Sequence, residues 1–337
     1  MMELEEPSGF LPAGEIVLQN YCIMGVIGAG TFGVVYKALH IGTHQRVAVK
    51  VASAKAPDTM LRTEFELYKI LQSEEVITPK VYEIGQVHGR PAIVMERLGF
   101  SLKAMFEYCR YHFRPETVAQ LAVQMIERLA WFHKITGYVH RDVKPDNFVL
   151  GFGKNRNLVH LIDFGLAEPY FDWSIKRHIR GSRTSHGLAG TARFASRNAH
   201  LGHAQSRRDD MESLGYSLVY LMRGSLPWQG MKAVTRNQLL EKTTEKKLSI
   251  SIQELCDGLP GQFAAMLEHS QELGYTIEPD YDVLIAKFRQ LCRKPDGSTA
   301  TVLLFDRVPY RPITKRTKAT EPEHAKSARK SLERKKR

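Results

Sequence analysis

The sequence predicts an α+β fold, and three observations carry that expectation. Up to Glu96 the chain reads as short runs of β-branched and aromatic residues broken by glycine, with one amphipathic helix among them. Beyond Gly99 the apolar residues recur at helical spacing instead. Two polar segments interrupt those helices, His140–Asn147 and, after the apolar run Leu158–Ile162, Asp163–Gly165; they gather aspartates, an asparagine and a lysine.

With 337 residues, 43% of them apolar, the chain can hold one large or two ordinary lobes around a real core. The four cysteines, Cys22, Cys109, Cys256 and Cys292, stand far apart without a C-x-x-C pair. That favours reduced, buried thiols in a cytosolic or nuclear protein over a disulfide framework or a zinc site. The acidic, proline-broken start at Met1–Pro7 is no secretory signal, and no apolar run approaches bilayer length. The net charge of +12 is uneven: Arg311–Arg337 holds eleven Lys/Arg against three Glu. Residues 307–337 are therefore expected to be a basic, disordered tail. Such a tail can address the nucleus, bind nucleic acid or an anionic membrane, or simply solubilise.

Taken in order, residues 1–15 read as a flexible leader. Strands at Ile16–Leu18 and Tyr21–Ile27 run into Gly28-Ala29-Gly30-Thr31-Phe32-Gly33, and Val34-Val35-Tyr36 follows. Dinucleotide-binding domains also use G-x-G-x-x-G, but there the glycines open a helix. Here a strand follows, so the segment makes a hairpin that can fold over phosphates, its glycines letting backbone N–H groups come close. The Lys and Ser/Thr that end a Walker A loop are missing.

Val47-Ala48-Val49-Lys50 is a further strand, ending on a lysine whose buried ammonium needs an anion. The helix Asp58–Ser73 supplies one. Leu61, Phe65 and Tyr68 repeat at helical spacing and Glu64 shares their inward stripe, with Glu66 the competing carboxylate on another face. A Lys50–Glu64 pair would hold the ammonium against a nucleotide's α- and β-phosphates. The strand Ala92–Met95 then meets Glu96-Arg97-Leu98-Gly99, a pattern that suits a hinge facing an adenine edge, with Met95 at the back of the pocket. Helices over Ser101–Phe106 and Thr117–Lys134 follow, the second aligning Leu121, Met125, Leu129 and Phe132.

In His140-Arg141-Asp142-Val143-Lys144-Pro145-Asp146-Asn147 a carboxylate, Asp142, stands five positions before an amide, Asn147. Such a loop can aim Asp142 at a substrate hydroxyl and hold the amide oxygen toward a hard cation, which prefers oxygen ligands. Lys144 puts an ammonium where a transferred anionic group needs neutralising. Asp163-Phe164-Gly165, 21 residues beyond Asp142, reads as a second metal-binding carboxylate at a strand end. Together the two segments match the catalytic-loop and D-F-G set of protein kinases. His140 reads as a structural hydrogen-bonding residue.

Gly190-Thr191-Ala192-Arg193-Phe194-Ala195-Ser196, Gln205–Tyr216 and Ser225–Gly230 make the likeness more specific. From Tyr21 to Asp306 the chain resembles the casein kinase 1 family. The resemblance implies a bilobal Ser/Thr protein kinase that uses ATP and Mg²⁺. Its N-lobe (16–95) would be small and β-rich with one main helix, its hinge 96–99, and its C-lobe (100–306) larger and mostly helical. It implies that Asp142 accepts the hydroxyl proton, Lys144 stabilises the γ-phosphoryl group, and Asn147 and Asp163 ligate Mg²⁺. ATP would lie among Ile27, Gly28, Ala29, Gly30, Thr31, Phe32, Gly33, Val35, Lys50, Glu64, Met95, Glu96 and Leu98. Asp210 matches a buried helix carboxylate that steadies the catalytic loop, and Trp228 reads as core. Every one of these positions holds the residue type the chemistry needs, which argues against a non-catalytic scaffold.

The family favours substrates with phosphate or acidic residues upstream of the target. Its anion site maps to Arg193 and Gly230, but its lysine position holds Leu239; Arg236 and Lys242 lie about one helical turn either side. Where most kinases carry A-P-E, this chain has Ala195-Ser196-Arg197. The family's long regulatory tail is replaced by the short basic one. The expected partners are thus acidic or phosphorylated protein substrates, plus a nuclear-import or anionic partner for the tail, with the chain acting as a monomer in cytoplasm or nucleus.

Overall fold

The structure, a computed structural model, describes residues 10–181, 187–292, 303 and 305. The basic tail expected at 307–337 lies outside the described residues, as do residues 1–9 and Ser182–His186 of the long polar segment.

Strand periodicity builds the first part. β1 (Ile16–Val17), β2 (Tyr21–Gly30), β3 (Gly33–His40), β4 (Arg46–Ala52), β5 (Val81–Val87) and β6 (Arg90–Glu96) form one antiparallel sheet in the order β1-β2-β3-β4-β6-β5. β4 is apolar on both faces. Val47, Val49 and Val51 join one cluster with Ile23, Tyr36 and Val94, whereas Ala48 and Ala52 join another with Ile93, Met95 and the helix α1 (Asp58–Ser73). A period of two places Lys50 on that second face, toward α1. α1 buries Leu61, Glu64, Leu67, Tyr68 and Leu71, so its one inward carboxylate sits in an apolar stripe.

The described part of the expected leader, residues 10–15, is packed against the sheet. From residue 10 on, Phe10 and Leu11 join the outer cluster of the sheet. The Leu11 N–H donates to Tyr36 Oη at 3.2 Å, and the Gly14 N–H donates to Ile23 O at 2.8 Å. Two apolar residues flanked by Gly9 and Pro12 show no period, which is why this anchor escapes a pattern reading.

Helices dominate from residue 102 onward. α2 (Leu102–Tyr108) is capped by the Ser101 side chain, which accepts from the Ala104 N–H. α3 (Pro115–Thr136) starts on a proline and stops at Gly137, whose φ of 73° is left-handed. The antiparallel pairs β7 (Tyr138–Val139) with β10 (Glu168–Pro169), β8 (Phe148–Leu150) with β9 (Val159–Leu161), and β11 (Phe171–Asp172) with β12 (Arg177–His178) follow. Then come α4 (Arg197–His200), α5 (Arg207–Arg223), α6 (Arg236–Ser249), α7 (Ile252–Leu255), α8 (Gly261–Glu272) and α9 (Tyr281–Leu291). α5 opens with the Ser206 N–H donating to Asp209 Oδ2 at 2.7 Å and is buried along nearly its whole length. It packs on α3 and α8 as the centre of the helical part, and α3 also packs on α9. One apolar cluster runs from Ala48, Leu61 and Met95 through Phe132, Phe148 and Leu161 to Phe288, joining sheet and helices across a cleft. No helix among the described residues is long and apolar enough to cross a membrane.

Candidate active site

β4 and α1 converge on one ammonium. Lys50 Nζ donates to Glu64 Oε2 at 2.7 Å and Oε1 at 2.8 Å, and to Asp163 Oδ1 at 2.6 Å. The partner is Glu64, as the inward stripe requires; Glu66 is exposed. Burial alone would lower the Lys50 pKa, but Asp163 and then Glu64 raise it above its ordinary value, so the ammonium keeps its proton. Burial pushes Asp163 up, yet Lys50 holds it below the usual carboxylate range. Burial pushes Glu64 up, against the pull of the same ammonium.

Asp163 itself adopts φ 69°, a left-handed conformation for a non-glycine residue, and its N–H donates to Tyr68 Oη at 3.1 Å. Such a conformation costs about 1–3 kcal/mol and persists where its surroundings over-determine it. Here α1 supplies the tyrosine and β4 the lysine. The next residue, Phe164, stacks on Phe132 of α3 with centroids 4.6 Å apart and packs on Tyr68 at 4.5 Å.

The second group forms around Asp142. Its Oδ1 accepts the Thr191 N–H at 2.9 Å and the Thr191 hydroxyl at 2.8 Å, while its Oδ2 takes Lys144 Nζ at 2.5 Å. Lys144 Nζ also donates to Thr191 Oγ1 at 3.0 Å. Asn147 Nδ2 donates to the Asp142 carbonyl at 2.9 Å, which turns the amide so that Oδ1 has no hydrogen-bond donor among the described residues. The Ile162 N–H donates to the Asn147 carbonyl at 3.0 Å, tying this loop to the segment carrying Asp163. Gly190 makes the Thr191 contact possible: at φ +88° a Cβ there would meet the Arg141 carbonyl at 2.4 Å.

A buried carboxylate on α5 holds the start of the His140–Asn147 loop. Asp210 Oδ2 accepts from the His140 N–H at 2.6 Å and pairs with His133 Nε2 at 2.8 Å; its Oδ1 accepts from the Arg141 N–H at 2.8 Å. Burial would raise its pKa, but these donors, His133 foremost, bring it below the usual carboxylate range. His140 is structural, as its sequence context suggests. Its Nδ1 accepts the Asp142 N–H at 3.2 Å, which leaves Nε2 as the protonated nitrogen facing the Ile162 carbonyl at 3.0 Å.

On the sheet side, Gly28 pairs with Val35, Ala29 with Val34 and Gly30 with Gly33, leaving Thr31-Phe32 as the turn. A Cβ on Gly33 would meet the Val51 carbonyl at 2.3 Å, so packing demands that glycine. Gly28 and Gly30 face open space within 4 Å, so nothing in the protein requires their lack of a side chain. That is the condition for close approach by a ligand. Ile27 is exposed, and Val35 packs toward the cluster that contains Ala48 and Met95. β6 ends at Glu96, and the Gly99 N–H donates to Leu150 O at 2.8 Å; Leu98, between them, makes no backbone hydrogen bond among the described residues.

The four basic-site residues are less gathered. The Arg193 guanidinium lies over the rings of Phe194 and Tyr220, at 5.7 and 5.9 Å. Trp228 Nε1 donates to the Arg193 carbonyl at 2.8 Å, which brings the segment ending at Gly230 (φ +71°) alongside. Lys242 Nζ is turned to the Lys232 carbonyl at 2.8 Å, Arg236 opens α6, and Leu239 is exposed on the same helix.

Thr191, Tyr68 and His133 escaped the sequence reading as site residues. Thr191 enters the sequence reading only as part of the Gly190–Ser196 segment, without a role of its own, and Tyr68 and His133 look like ordinary members of their helices. An alternation of apolar and hydroxyl-bearing residues does not announce a partner across more than forty positions.

The donor set suits a phosphorylated nucleotide with a hard cation: two oxygen ligands (Asp163 and Asn147 Oδ1), a charged lysine, and glycines open to space. A family model, the protein kinase domain, matches residues 21–288. The sheet-rich lobe and the helical lobe on either side of the cleft are those of the kinase fold, and the chain belongs to the protein kinase family.

Proposed function

We propose that this protein kinase is a Ser/Thr kinase of the casein kinase 1 type that passes the γ-phosphate of ATP to protein hydroxyls and favours acidic or already phosphorylated substrates. The observation that carries the reading is Asp142, which accepts the Thr191 hydroxyl at 2.8 Å beside Lys144. The carboxylate is aimed to take an alcohol O–H, within reach of an ammonium.

Phosphoryl transfer asks mainly for positioning and charge neutralisation, because its transition state is loose. On this reading Asp142 accepts the proton of the Ser or Thr hydroxyl and Lys144 stabilises charge on the transferring group. Lys50, fixed by Glu64, orients the α- and β-phosphates beneath the turn that Gly28, Ala29, Gly30, Thr31, Phe32 and Gly33 make. Ile27, Val35 and Met95 cover the base, and the backbone of Glu96 and Leu98 meets its edge. Asn147 and Asp163 would hold Mg²⁺, which when bound neutralises phosphate oxygens. Mg²⁺-dependent transfer from labelled ATP to an acidic Ser peptide tests this. Asp142→Asn should lower it by about 10³-fold, or ~4 kcal/mol of transition-state stabilisation. A folded parent chain that transfers nothing would end the reading.

The acidic preference rests on Arg193 with Gly230, and on Arg236 and Lys242 of α6 flanking Leu239. Arg193→Ala should lower the ratio of primed to unprimed peptide turnover, and an unchanged ratio would sink this part. The four free cysteines fit a reducing compartment, cytoplasm or nucleus. In this reading the basic tail serves nuclear import or an anionic partner, so deleting it after Arg311 should leave peptide phosphorylation intact.

A further inference from the structure

α6 has no apolar stripe to dock it. Its buried side chains are Thr243 and Lys247 alone, and Thr243 satisfies its own helix by donating to Leu239 O at 2.8 Å. Lys247 is 1% exposed and lies between two rings, with its Nζ 4.8 Å from the centroid of Tyr216 and 4.9 Å from that of Trp228. It donates to the carbonyls of Ala192, at 2.9 Å, and Ala195, at 2.5 Å. His200 of α4 reaches the same Ala192 carbonyl at 2.9 Å, and Trp228 Nε1 takes the Arg193 carbonyl between them. Three side chains from separate elements thus hold the carbonyls of 192, 193 and 195. One residue earlier, Thr191 holds the Asp142 carboxylate.

Burying an ammonium is costly, and a methionine would suit the two rings better if filling space were its only task. The ammonium therefore earns its place through its donors. We propose that Lys247 is a positioning residue for the protein substrate: together with Trp228 and His200 it clamps the 191–195 turn in register with Asp142 and fixes α6, which carries Arg236 and Lys242, against that turn. The inference rests on the kinase reading above.

Lys247→Met tests it. In the folded variant the peptide KM should rise about tenfold or more, the worth of one charge-assisted hydrogen bond, while affinity for an ATP analogue stays within about twofold. Hydrogen exchange should quicken in the amides of 190–197 and not in those around Lys50. A filler role alone would lower Tm without moving the peptide KM or that exchange, and this result would overturn the proposal. Should Lys247→Met fail to fold, Trp228→Phe decides, because it keeps an aromatic, if smaller, ring at this position and removes the donor to Arg193. A raised peptide KM and faster 190–197 exchange support the clamp, and parental values for both refute it. A parent chain that binds ATP but phosphorylates nothing defeats the functional reading instead, and the exchange comparison still decides the clamp.

Discussion

Around Lys50 charged side chains hold one another, whereas around residues 191–195 side chains hold backbone carbonyls. The first cluster is three ionisable groups within 2.8 Å contacts, drawn from β4, α1 and the start of the Asp163 segment. The second is a turn anchored inward by Phe194, whose backbone carbonyls are pinned from outside by Lys247, His200 and Trp228. The difference separates what each half does. Charges paired in a cleft can exchange one partner for a nucleotide's phosphates, while a carbonyl-anchored turn keeps its shape whatever peptide arrives. On the proposed reading, nucleotide handling is thus built to re-pair, and substrate handling to stay still.

The sharpest way to break this contrast is Lys50→Met. It leaves Glu64 and Asp163 as facing carboxylates with no cation between them, so the folded state should lose about 3–5 kcal/mol in urea unfolding, the cost of removing one partner of a buried pair. Transfer should fall by about 10²-fold or more, as for loss of a single charge-stabilising group. A loss below about 1 kcal/mol would mean that the pair is solvated and worth no more than a surface bridge.

Asp210→Asn comes next. It exchanges a carboxylate that accepts from His133, His140 and Arg141 for an amide that must turn one N–H against a donor. The expected loss is about 2 kcal/mol. Because Asp210 has its folded pKa lowered below 3.8, the stability it contributes is present above that value and is lost as pH falls through the folded pKa. The variant should therefore lose less on acidification below about pH 4 than the parent, read from unfolding midpoints.

How much of this was legible in the sequence follows the same division. Lys50, Glu64, Asp142, Asn147 and Asp163 could be singled out because their residue types lie in short motifs or in one helical stripe. The α+β class and the extent of α1, Asp58–Ser73, followed from periodicity. Lys247 could not be found: in Glu245-Lys246-Lys247-Leu248 it looks like a solvated charge, and only the fold places it between Tyr216 and Trp228. Phe10 and Leu11 were hidden for the opposite reason, since two apolar residues in a Gly/Pro-rich start carry no period. Carbonyl acceptors have no side-chain signature at all, so a site made of them is invisible until the chain is folded.

Thr191→Val sharpens the comparison where the turn meets the Asp142 carboxylate. Valine keeps the shape and the N–H donor to Asp142 but removes the hydroxyl that bridges Asp142 and Lys144. The expected loss is about 1 kcal/mol, or roughly fivefold in kcat, with ATP affinity unchanged. If ATP affinity fell as well, the turn and the nucleotide site would not be separable.

The smallest effect concerns His200, and its sign follows from where its proton goes. Burial first, and then the nearby Lys247 ammonium, lower its pKa from 6.5 to about 4, although the Ala192 carbonyl favours the charged ring. Between those two values the unfolded chain holds a proton on this residue that the folded chain does not, so stability falls as pH drops from 6.5 to about 4 and the contribution is flat below. His200→Gln keeps an N–H donor and removes the titration. Its unfolding midpoint should decline less steeply than the parent's across that window, while peptide KM at neutral pH stays close to the parent value. A slope equal to the parent's would mean that the ring takes up its proton as readily folded as unfolded, which burial and the adjacent ammonium oppose. In that event the two donors would not be crowded onto Ala192, and the clamp would reduce to Lys247 and Trp228.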